Sequence, residues 1–212
     1  MKKAIFFDLD GTLWDALEPL CKSYNLSMSS HNLPYRFDLE KVRSFMGLTP
    51  EETAYLIFPD VDIKKGLEYF YICLKGELEY LKKHPGKLYP NEENMLKELS
   101  SMYDLYLLSN ADKGYIEKYL DAYDFYKYFK GHLCAGDTGL DKKENIKYLM
   151  KKENINEVIY VGDTFKDMIE SKEAGVNFIH AAYGFGKIAN PPHSISNLSE
   201  LSGVVKRIFK DN

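Results

Sequence analysis

The sequence predicts an α/β protein, a three-layer core around a parallel sheet with an all-helical domain inserted in it. Three observations carry this. A buried strand near the amino terminus ends in acids, residues 14–87 show only helical periodicity, and helix and strand alternate regularly from Leu88 onward. Alternation of that kind builds parallel β-α-β units with right-handed crossovers. The core is then residues 1–13 and 88–212, and the insert is residues 14–87.

The elements follow in order. Ala4 to Phe7 is an apolar run that reads as a fully buried strand, and it breaks into Asp8, Leu9, Asp10, Gly11 and Thr12. Gly11 lets the chain turn so that Asp10 comes back beside Asp8 in a cleft. The bland alternative is a Gly or Asx turn with two solvated acids. Leu17, Leu20, Cys21 and Tyr24 mark one face of an amphipathic helix that fades before Pro34. Thr49, Pro50 and Glu52 form a capping box, and Pro59 closes the helix it starts. Residues 63–83 form a long helix with Leu67, Phe70, Tyr71, Leu74, Leu78 and Leu81 on one side, broken by Pro85 and Gly86. Glu92 to Met102 is helical, Asp104 to Leu108 is a strand, and Lys113 to Phe129 is helical with Ile116, Tyr119, Leu120 and Tyr123 inward. Short strands follow at 132–135, 158–161 and 176–180. Asn190 to His193 is a rigid turn before a final helix from Leu198 to Phe209.

Bulk properties exclude several classes. With 28 basic and 32 acidic side chains the net charge is -4, which argues against a nucleic-acid grip. Three scattered cysteines, Cys21, Cys73 and Cys134, make neither a disulfide framework nor a thiolate metal site. The five histidines lack metal-ligand spacing. The amino terminus does not fit a signal peptide and no run approaches a membrane span, so a cytoplasmic protein without membrane partners is expected, a monomer or a homodimer.

Ligands of open parallel sheets sit beyond the carboxyl ends of the strands, so polar chemistry is expected there. Ser109 and Asn110 end one strand, where they either donate to a phosphate oxygen or simply form a turn or cap. Asp163 and Asp167 follow Val161 and Gly162, spaced to share a cation or a lysine, or else to cap a helix. Lys142 and Lys143 are adjacent candidates at the start of another helix, where an exposed lysine is otherwise a solvated charge.

Asp8, Asp10, Gly11 and Thr12 after an apolar strand resemble the first motif of the haloacid dehalogenase-like (HAD) superfamily. Ser109 resembles the second motif, Lys142 the third with Lys143 in reserve, and Gly162, Asp163 and Asp167 the fourth. The resemblance implies a Rossmann-type core and a helical C1 cap, and a phosphatase acting on a small phosphorylated metabolite. It implies Asp8 as nucleophile, Asp10 as general acid and base, and Ser109 and Lys142 as holders of the phosphoryl group. It implies Mg²⁺ bound by Asp8, Asp10 through its main-chain carbonyl, and Asp163, with Asp167 assisting. Thr12 and Asn110 join the implied substrate contacts. The segment Val42 to Leu48 is similar to phosphoglycolate phosphatase-like caps, which makes Arg43 the implied contact to the far end of the substrate. Trp14 either lines the leaving-group pocket or packs in the hinge, and the Gly184 and Gly186 loop has a structural role. A sugar phosphomutase would use the same core, and a receiver-like phosphoaspartate domain a similar residue set without the helical insert.

Overall fold

The computed structural model describes residues 1–210. In chain order it runs β1 (Lys3–Phe7), β2 (Trp14–Asp15), α1 (Leu17–Ser30), α2 (Leu39–Ser44), α3 (Pro50–Ile57), α4 (Ile63–Leu81), β3 (Lys87–Leu88) and α5 (Glu92–Ser100). It continues with β4 (Asp104–Ser109), α6 (Tyr115–Tyr123), β5 (Gly131–Cys134), α7 (Ala135–Thr138), α8 (Lys142–Lys152), β6 (Glu157–Gly162), α9 (Phe165–Ala174), β7 (Asn177–Ala181), β8 (Ser194–Ile195) and α10 (Leu201–Ile208).

Six strands pair in the order β5-β4-β1-β6-β7-β8, every pair parallel. The α/β expectation is met, and β1 lies inside the sheet because its side chains are apolar on both faces. Ala4 and Phe6 pack with Ile146, Leu149 and Phe178 on one side. Ile5 and Phe7 belong to the larger core on the other, with Leu96, Ile116 and Val205. Each such large side chain contributes about 1.5–3 kcal/mol by leaving water.

Helices α1 to α4 pack mainly on one another, α1 and α3 both against α4. Thr49 caps α3 through the reciprocal box, its hydroxyl accepting from the Glu52 amide and Glu52 accepting from its own. An antiparallel ribbon frames this helical segment, Trp14 against Leu88 and Asp15 against Lys87. Two-residue strands are too short to carry a periodic signal, so the ribbon was invisible to periodicity.

Other departures have local causes. The helix expected over 113–129 stops at Tyr123, because Asp124 turns left-handed at φ 54°, and a 3₁₀ turn follows at Tyr126–Tyr128. Tyr71 is half exposed, not inward, whereas Cys73 and Glu77 are buried on the same helix. The turn at 190–193 leads into β8, which extends the sheet before α10. No described helix is long and apolar enough to cross a membrane.

Candidate active site

The sheet places the acids. The Asp8 amide donates to the Val161 carbonyl at 2.9 Å, so the ladder that fixes β1 also fixes this residue. Beyond it the amides of Thr12, Leu13 and Trp14 all point at the Leu9 carbonyl, and Gly11 takes φ 77°. A Cβ at Gly11 would collide with the Asp163 carboxylate, so a glycine is required sterically as well as conformationally. Since β6 neighbours β1, Asp163 follows Gly162 to the same edge.

Asp8, Asp163 and Asp167 are buried and each offers an oxygen, all within 4.8 Å of one another. Lys142, in the first turn of α8 behind its cap Asp141, sends Nζ to Asp8 Oδ1 at 2.9 Å and to Asp167 Oδ1 at 2.5 Å. It is 1% exposed, while Lys143 lies outside with Asp141 and Glu173. Asp167 also accepts from the Thr164 amide and hydroxyl, so it caps α9 and pairs with the lysine at once. Asp163 Oδ2 accepts from the Phe185 and Gly186 amides at 2.6 and 3.3 Å, but its buried Oδ1 has no partner.

Three carboxylates against one ammonium leave two negative charges uncompensated. Burial works against the Lys142 ammonium, yet Asp167 and Asp8 hold its pKa well above the ordinary lysine value. Burial pushes Asp8 up to about 6, with Lys142 opposing, and raises Asp163 well above the carboxylate range, reinforced by Asp167 and Asp8. An all-oxygen set with net charge and an orphaned carboxylate oxygen fits a hard divalent cation such as Mg²⁺.

Asp10 occupies a different environment. Its Oδ1 accepts from Trp14 Nε1 at 3.0 Å and from the Tyr115 hydroxyl at 2.8 Å. Burial drives its pKa up to about 7 against the Tyr115 hydrogen bond.

Residues 5–181 match the family model described as haloacid dehalogenase-like hydrolase. The chain belongs to the haloacid dehalogenase-like hydrolases. This hydrolase is 28% identical over 227 residues to a phosphoglycolate phosphatase of Vibrio parahaemolyticus serotype O3:K6, covering 96% of each chain. It is 28% identical over 222 residues to one from Pseudomonas savastanoi pv. phaseolicola, covering 95% of this chain and 79% of that one. A haloacid dehalogenase-like family hydrolase from Streptococcus pneumoniae shares its fold with TM-score 0.83 at 23% identity, over 96% and 98% of the two chains. CbbY from Rhodobacter sphaeroides, solved with phosphate, does so with TM-score 0.78 at 16% identity, over 95% and 96%.

In this haloacid dehalogenase-like hydrolase, Asp8, Asp10, Ser109 and Asn110 line one cavity of about 70 Å³, together with Tyr24, Phe45, Leu74 and Glu77 from the helical segment. Ser109 Oγ accepts from the Ala111 amide at 3.2 Å, and the Asn110 side-chain Nδ2 donates to the Gly47 carbonyl at 3.0 Å. Thr12 is buried beneath, its Oγ1 unpartnered and its carbonyl accepting from Tyr183. Arg43 does not reach the cavity. It is exposed on α2 with its guanidinium over the Phe185 ring, 5.9 Å from the centroid.

Sequence reasoning missed several partners. Trp14 neither lines the cavity nor merely packs; it donates to Asp10. The loop at Phe185 and Gly186 does more than turn, since its amides hold Asp163. Tyr115 and Glu77 were also missed. Tyr115 lay just beyond the Ser109 strand end, where polar groups were expected to gather. Glu77 sits among Phe70, Cys73, Leu74 and Leu81, and a carboxylate on an otherwise apolar helix face was a signal.

Proposed function

We propose that this haloacid dehalogenase-like phosphatase hydrolyses a small-molecule phosphate monoester with Mg²⁺, through an aspartyl-phosphate on Asp8. The observation that carries the reading is the pair of acids in one cavity with different partners. Asp8 is held by an ammonium with its pKa at about 6, whereas Asp10 is held by two neutral donors with its pKa at about 7, so Asp10 keeps a proton the more readily. Two carboxyls so divided are suited to nucleophile and proton carrier.

In the first step an Asp8 oxygen bonds to phosphorus as the bond to the leaving oxygen breaks, and Asp10 gives that oxygen its proton. In the second, Asp10 takes a proton from water as the water oxygen bonds to phosphorus and the bond to Asp8 breaks. Lys142 aligns the Asp8 carboxylate and attracts phosphoryl oxygens, Ser109 and Asn110 donate to them, and Tyr115 and Trp14 keep Asp10 oriented. Asp8, Asp163 and the Asp10 carbonyl would hold Mg²⁺, with Asp167 supporting, and the bound ion would offset the charge of the phosphoryl dianion. Residues 14–87 act as a cap that keeps bulk water and large substrates out, over a core of residues 1–13 and 88–212.

The test is phosphate release from a small aryl phosphate with Mg²⁺, with chelator, and with Asp8→Asn. Turnover is expected to need the metal and to fall at least about 10³-fold in the variant. Undiminished turnover by Asp8→Asn would sink the covalent mechanism.

A further inference from the structure

Among the described residues, those lining the cavity that holds Asp8 and Asp10 include no arginine, lysine or histidine. They include two more acids instead, Glu77 and Asp112. Glu77 projects from α4 with 3% exposure, and one oxygen accepts from the Tyr24 hydroxyl at 2.5 Å. Burial pushes its pKa up to about 8 against the Tyr24 hydrogen bond, and the negative charges of Asp10 and Asp112 add to the rise. Arg43, the one cation that the sequence suggested for the far end of the substrate, stacks outside over Phe185.

We propose that the site selects phosphate monoesters whose leaving group is uncharged or cationic and donates hydrogen bonds, a small polyol or amino alcohol, and rejects leaving groups that carry a carboxylate, with Glu77 as the specificity-determining residue. The inference rests on the phosphatase reading above. The phosphoryl charge is met at the Asp8 and Lys142 end. A carboxylate on the leaving group would lose its water at the other end and find no counter-ion there. It would also stand against Asp112 in a medium that screens poorly. A hydroxyl or an ammonium in the same place donates a hydrogen bond to a Glu77 oxygen, the ammonium also drawing Glu77 into its ionised form, and the apolar walls from Phe45 and Leu74 limit its size. The selection therefore differs from what the names of the phosphoglycolate phosphatase relatives suggest.

The experiment compares kcat/KM of the full chain with Mg²⁺ on glycerol 3-phosphate, phosphoethanolamine and phosphoglycolate, with an aryl phosphate alongside. One or both of the first two are expected to exceed phosphoglycolate by at least about tenfold. Glu77→Gln, which cannot ionise, is expected to narrow the ratio of phosphoethanolamine to phosphoglycolate at least about threefold, chiefly through KM. Phosphoglycolate turned over as well as the others would overturn the proposal and leave the phosphatase standing. Failure on all four substrates would remove the phosphatase reading and this inference together. A folded Glu77→Gln with an unchanged ratio would take Glu77 out of the role, and should that variant not fold, the native panel still decides the substrate class.

Discussion

Asp163 shows how a single carboxylate can be both costly and useful. It is buried beside Asp8 and Asp167, two amides hold one oxygen, and the other has no partner. Without a cation this arrangement destabilises the fold, because its repulsion is unrelieved. Asp163→Asn is therefore expected to stabilise metal-free protein by an amount of the order of 1 kcal/mol, seen as a higher melting temperature. Mg²⁺ is expected to stabilise the native chain and not this variant. Scanning calorimetry with chelator and with Mg²⁺ reads both, and an Mg²⁺ effect that survives the substitution would remove Asp163 from the metal site. Lys142→Met should move stability the other way, by about 3 kcal/mol or more, since it strips the buried ammonium from Asp8 and Asp167. Lys142 and Lys143 could not be told apart by residue type. The helix turn that points one inward and its neighbour outward made the difference.

Between elements, the join of α5 to α6 depends on a buried acid. Glu92 accepts from the Tyr119 hydroxyl at 2.6 Å and from the Tyr89 amide at 3.2 Å, and burial pushes its pKa up to about 8. The folded chain thus keeps a proton that the unfolded chain releases near the ordinary glutamate value. This contribution is fully present below the unfolded pKa and is lost as pH rises through the folded one. Stability is expected to decline from about pH 5 to pH 8 by a few kcal/mol, because holding that proton across each pH step costs about 1.4 kcal/mol. Denaturant titrations across that range should show a flatter decline in Glu92→Gln, and an unchanged slope would contradict the assignment. Most elements were legible because apolar periodicity reports them directly. The β2–β3 ribbon, β8 and the break at Asp124 were not, because two-residue pairings and one left-handed residue leave no period to read.

At the scale of the molecule, several polar contacts tie the helical segment to the core, two of them from the stretch between Gly47 and Glu52. Glu52 meets Lys166 at 2.6 Å, and the Asn110 side-chain Nδ2 donates to the Gly47 carbonyl at 3.0 Å. The ion pair is partly exposed, so it adds less than about 1 kcal/mol to overall stability. Its importance lies in where it sits, between α3 of the helical segment and α9 of the core. Lys166→Glu, which sets like charges against each other there, is expected to raise KM several-fold with little change in melting temperature. Steady-state kinetics beside a thermal melt would check this, and an unaltered KM would show that the pair does not help closure. The sequence by itself determined the α/β class, the helical insert and the strand-end positions of Asp8, Asp10, Ser109, Asn110 and Asp163. Apolar period and strand-end chemistry are local properties of the chain, so they can be read from it. Tertiary structure alone decided which lysine joins the acids, that Trp14 and Tyr115 hold Asp10, that Arg43 stays outside, and that Glu77 enters the cavity. Each of these depends on where side chains distant in sequence, 134 positions apart for Lys142 and Asp8, come to lie once the sheet and helices have packed.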